Sequence, residues 1–156
     1  MDKQNIDNMT QLSTTFSRSF RETNDCTVRA LSNGCHIPYP QAHNILRKHY
    51  DRKHRKGMFF SEIMEVLCSE FISHDAYKNG TMTISQFCKR FPKGRYFVTI
   101  RRHAIAIVDG VPQDWTTTKS RHHVWLYGEV KEEAVRMTNA KFEEMKNSKP
   151  SELIHK

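Results

Sequence analysis

The chain has 156 residues, 37% of them hydrophobic and 27% charged, enough apolar character for one buried core and too little length for two. Its 25 Lys and Arg against 17 Asp and Glu give a formal charge of +8, which favours an anionic partner such as nucleic acid, an acidic protein or a membrane surface without choosing among them. No apolar run approaches the roughly 18 residues of a membrane span, and the opening MDKQNIDNMTQ has neither a basic start nor an apolar stretch, so a cytoplasmic protein with no membrane partner is expected.

Residues 1–22 are polar, rich in Ser, Thr and Asn and without a clean period, and read as a loosely ordered arm. A short helix is expected from Cys26 through Val28, Ala30 and Leu31, with Thr23, Asn24 or Asp25 as N-cap and Asn33-Gly34 as its left-handed end. A second helix begins near Pro40 and carries Ala42, Ile45, Leu46 and Tyr50 on one face. A third starts at Ser61 with Ile63, Met64, Val66, Leu67 and Phe71 as its buried set. A fourth follows Thr83 through Ile84, Phe87 and Cys88 to the break at Pro92-Lys93-Gly94.

Strand character follows. Arg95 to Ile100 and His103 to Val108 are rich in β-branched and aromatic residues, and Asp109-Gly110 is a two-residue hairpin signal, with Val111 to Trp115 returning along it. A further strand is expected at His123 to Tyr127, then a charged helix from about Lys131 to Met145. Helices first and an antiparallel sheet second is the α+β pattern. The expected organisation is an arm at 1–22, a domain at 23–130, and a charged helix and tail at 131–156.

The four cysteines, Cys26, Cys35, Cys68 and Cys88, lie far apart without a C-x-x-C pair, which points to reduced thiols rather than a disulfide framework. Cys35-His36 has no second ligand pair, so no metal is expected. Cys26 differs from the other three because it stands at a helix start, where unpaired N–H groups and the helix dipole favour a thiolate. A catalytic thiol also needs an imidazole to take its proton and return it to the leaving group. His103 opens an apolar strand and is the candidate, whereas His43, His49, His54, His122 and His123 sit among charges and read as solvated. If Asp109-Gly110 is the loop, Val108 faces Val111, Ile107 faces Pro112 and Ile105 faces Asp114. Asp114 then shares a face with His103 at one diagonal step, where it would fix the ring's tautomer.

The segment Asn24-Asp25-Cys26-Thr27-Val28-Arg29-Ala30-Leu31 resembles the nucleophile helix of papain-like cysteine peptidases, above all small phage-encoded ones and, more loosely, OTU-type deubiquitinases. Pro92-Lys93-Gly94-Arg95-Tyr96 and His103-Ala104-Ile105-Ala106-Ile107-Val108-Asp109-Gly110, with Asp114-Trp115, look like that family's histidine hairpin. Over residues 23–127 the resemblance implies a papain-like fold with Cys26 as nucleophile, His103 as general base and Asp114 as orienting carboxylate. The family places a Gln upstream of the nucleophile for the oxyanion hole. Here Phe20 stands near that place, and Asn24 with the Cys26 backbone N–H is the substitute.

The run from Arg47 to Lys56 holds six cations: Arg47, Lys48, Arg52, Lys53, Arg55 and Lys56. It reads as the exposed face of the second helix and, with Arg101 and Arg102, as a surface for an acidic protein or nucleic acid. The expected function is a cofactor-free thiol hydrolase cleaving a peptide or isopeptide bond, working in the host cytoplasm if phage-encoded. Transglutaminase and acyltransferase chemistry use the same residues. The competing expectation is an idle papain-like scaffold that binds nucleic acid or a host protein through its basic surface.

Overall fold

Met9, Leu12 and Phe16 recur at three- and four-residue spacing, and they close one face of a helix, α1 (Asn8–Ser19), onto the core. A computed structural model describes this and the rest of residues 8–59, 62–63, 65, 71–72, 77–78, 81–113, 121–133 and 135–136. The expected loose arm is therefore corrected over residues 8–19. Its polar side chains mask the period, but Thr10, Ser13 and Ser17 are themselves buried and are satisfied by distant groups. Thr10 donates to Gln113 at 2.8 Å, Ser13 to Asn33 at 2.8 Å and Ser17 to Asp25 at 2.7 Å.

Helix α2 (Cys26–Cys35) is buried from Thr27 to Cys35 and packs against α1, α3 and the sheet, as a helix must when it lies inside a core. It does not stop at Asn33-Gly34 as expected. It continues to Cys35, and His36 supplies the left-handed C-cap at φ 55°. Gly34 serves a different purpose: a Cβ there would stand 3.2 Å from the Ala106 Cβ and 3.4 Å from the Tyr96 carbonyl. Glycine thus lets the helix touch the sheet. Arg95 fastens the same end, donating from Nε to the Gly34 carbonyl at 3.0 Å and from Nη2 to the Asn33 carbonyl at 2.7 Å.

Helix α3 spans Tyr39–Tyr50 with Pro40 in its first turn, and α4 (Ile84–Arg90) starts in a capping box between Thr83 and Gln86. Of the third expected helix only 62–63 and 65 are described, and these are helical; the same holds for 132–133 and 135–136 of the C-terminal one. Strands β1 (Tyr77–Lys78), β2 (Arg95–Ile100), β3 (His103–Val108), β4 (Val111–Gln113) and β5 (Leu126–Glu129) form one antiparallel sheet in the order β1-β5-β2-β3-β4. The last strand begins at Leu126 rather than His123, which instead makes an isolated bridge to Thr83.

The chain is α+β, with helices and a small antiparallel sheet. Alternation along β2 sends Phe97 into the core under α1 to α3, and Tyr96, Val98 and Ile100 into a second core with Ile84 and Phe87 of α4. Among the described residues no helix is long and apolar enough to cross a membrane.

Candidate functional site

Asp25 occupies the N-cap position of α2 but gives no capping side-chain hydrogen bond. Its carboxylate turns into the core, accepting from Ser17 at 2.7 Å, Tyr39 at 2.8 Å and Arg29 at 3.2 Å. The helix start therefore faces outward with Cys26 as its first residue. His103 is the first residue of β3, carried there by a two-residue turn in which Arg102 adopts φ 58°.

These two elements bring Cys26 and His103 together at the floor of one cleft, with the imidazole near enough to act on the thiol. Burial raises the Cys26 thiol pKa, but the adjoining imidazole and charge of His103, the Ala104 backbone N–H and the Arg29 charge outweigh it and leave the thiol below its ordinary value. The contrast within the chain is sharp. Burial pushes Cys35 up to about 12 and Cys88 up to about 11.

A cleft of about 570 Å³ opens over the pair. Its lining is drawn from two further stretches, Gly57, Met58, Phe59 and Ile63 from one part of the chain and Thr99, Ile100, Arg101, Arg102 and Trp125 from another. Just before the first of these stretches lies a clamp whose partners are far apart in sequence. The Glu22 carboxylate, with a fully buried side chain, accepts from Arg52 Nη1 and Nη2 at 2.9 Å each, from the Arg55 N–H at 3.0 Å, and pairs with His43. Burial raises the Glu22 pKa, but Arg52, His43 and the Arg55 N–H together hold it well below the usual carboxylate range. This ties residues 51–56 to the segment just before Cys26.

Several expected roles change accordingly. Helix α3 ends at Tyr50, so Arg52 to Lys56 lie beyond it rather than along its exposed face. Arg52 is only 4% exposed and is a structural cation, not part of a surface patch. His43 is largely buried against Glu22 and Phe20, not solvated. Arg47, Lys48, Lys53, Arg55 and Lys56 are exposed, with Arg47 donating to Asn44 at 2.7 Å and Lys53 paired with Asp51 at 2.9 Å. Arg101 and Arg102 are exposed at the cleft rim.

Asn24 lines the cleft in a left-handed conformation at φ 53°, its Nδ2 donating to the Arg55 carbonyl at 3.3 Å. The β3–β4 register, Val108 to Val111 and Ile107 to Pro112, is the one expected. Asp114 lies outside the described residues, as do Cys68 and Trp115. Among the described residues no group of three or more His, Cys, Asp or Glu is arranged to hold a metal ion.

The signals for Glu22, Phe59 and Trp125 are not local. Glu22 and Arg52 are 30 residues apart, and the two aromatics reach the cleft from separate segments. Comparison with protein-family models, curated proteins and solved structures finds no match.

Proposed function

We propose that the chain is a papain-like thiol hydrolase that cleaves a peptide or isopeptide bond. Cys26 attacks the carbonyl carbon, and His103 takes the thiol proton as the sulfur–carbon bond forms. The backbone N–H groups of the α2 start, with Asn24, receive the oxyanion. His103 then hands its proton to the departing amine, and the carbon–nitrogen bond breaks to leave a thioester. Water, deprotonated by the same imidazole, releases the acyl group and returns the thiol. Asp114 is assigned the orienting role for the ring, on the hairpin register.

The observation that carries this reading is that Cys26, at the start of α2, and His103, at the start of β3, meet in one open cleft, where the imidazole lowers the thiol pKa. The test is alkylation of the folded protein with iodoacetamide, read by peptide mass spectrometry, with amine release from a fluorogenic peptide pool. Cys26 is expected to react faster than Cys35, Cys68 or Cys88, and Cys26→Ser and His103→Ala to abolish release. Equal labelling of all four would leave the scaffold as a binding module working through its basic surface.

A further inference from the structure

Among the described residues only two large hydrophobic side chains are strongly exposed, Phe59 at 79% and Trp125 at 40%. Both line the cleft over Cys26, reaching it from separate segments of the chain. Leaving apolar surface in water is unfavourable, and its concentration at one concave place marks a binding surface. The described lining contains no Asp or Glu, whereas Arg101 and Arg102 stand exposed at its rim, directly before His103. A volume of about 570 Å³ suits a ligand of a few residues.

We propose that the cleft takes an extended peptide with an acidic side chain close to the scissile bond and a large apolar side chain beside it. The proposal rests on the thiol-hydrolase reading. The acid meets Arg101 and Arg102, and the apolar side chain packs against the aromatic surface that Phe59 and Trp125 expose to the cleft. Arginine suits the first task because its planar fork engages a carboxylate through two N–H groups. The aromatic side chains suit the second because rigid rings bury area at small entropic cost.

Three peptide vinyl sulfones test this on the full chain: acetyl-Phe-Asp-Gly, acetyl-Phe-Lys-Gly and acetyl-Ala-Asp-Gly. The Cys26 sulfur adds to the alkene carbon β to the sulfone, on the peptide side, and a proton passes to the carbon α to the sulfone, so nothing leaves and the mass gain counts the reaction. The Phe-Asp-Gly probe is expected to label Cys26 about three- to tenfold faster than either counterpart, the range that exposed charges support. Its advantage over the Lys probe should shrink near 1 M salt, where screening acts within about 3 Å. The double variant Arg101→Glu, Arg102→Glu should invert the Asp-to-Lys order, and Phe59→Ala should remove the preference for Phe over Ala. Equal or reversed rates for the Asp and Lys probes overturn the proposal while rapid iodoacetamide labelling of Cys26 keeps the hydrolase reading intact. Protection of Cys26 by a short single-stranded oligonucleotide, but not by a Phe-Asp-Gly peptide, also overturns it, because stacking aromatics with arginine would then be serving bases. Failure of iodoacetamide to prefer Cys26 removes both.

Discussion

Cys26 reacts as thiolate, so its alkylation rate should rise with pH through its own folded pKa, with a midpoint below the ordinary 9.0. Replacing His103 by Ala removes the imidazole and its charge but leaves the burial, which raises the pKa. The midpoint should move up, and labelling near neutral pH should slow by about tenfold or more; a rate–pH profile of both proteins reads this directly. Glu22 gives a stability counterpart. Its folded pKa is depressed, so the stabilisation is fully present above the unfolded value near 4.5 and drains away as pH falls below it. Glu22→Gln should therefore cost about 3 kcal/mol or more near neutral pH, as expected when one member of a buried pair is removed. Urea unfolding at several pH values should show that gap nearly constant from pH 7 to 5 and narrowing as pH falls below about 4. Arg52→Ala should destabilise similarly, whereas Lys53→Ala and Lys56→Ala should stay within about 0.5 kcal/mol of the parent. The six-cation run by itself does not separate Arg52 from its neighbours, because the partner that buries it lies in another segment.

At the scale of elements, the signals that read correctly are local ones. Thr83 and Gln86 announce α4, β-branched residues announce β2 and β3, and Asp109-Gly110 turns with positive φ at both positions. The β-branched run also places His103 at a strand start, and the Thr23-Asn24-Asp25 stretch ahead of Cys26 marks the start of α2. Helix α1 is the counter-example. Its apolar positions are interleaved with Ser and Thr whose partners, Asn33 and Gln113, are supplied by other elements, and no local pattern carries that information. If α1 belongs to the core, Phe16→Ala should cost about 3–5 kcal/mol; an indifferent midpoint in thermal unfolding would return residues 8–19 to an arm. Thr83→Ala should cost about 1 kcal/mol through the lost cap, without altering Cys26 reactivity.

Across the whole molecule the sheet separates two cores, and the candidate site belongs to the one that holds α2. Phe87→Ala, on the opposite face, should lower global stability by about 3–5 kcal/mol, yet leave the midpoint of Cys26 alkylation in place below the unfolding range. The closeness of Gly34 to Ala106, invisible in sequence because it joins residues 72 positions apart, works the other way. Gly34 and Cys26 are eight residues apart on one rigid helix, about 12 Å, so the helix is a lever whose fulcrum is that contact, pinned by Arg95. A tilt of about 5° at the fulcrum carries the sulfur about 1 Å, a displacement of the size that costs catalytic groups about a hundredfold. Gly34→Ala should then show little change in stability, since a gain of about 1 kcal/mol in helix propensity offsets the crowding. The alkylation midpoint should still rise, as the far end of the lever swings the thiol away from its imidazole.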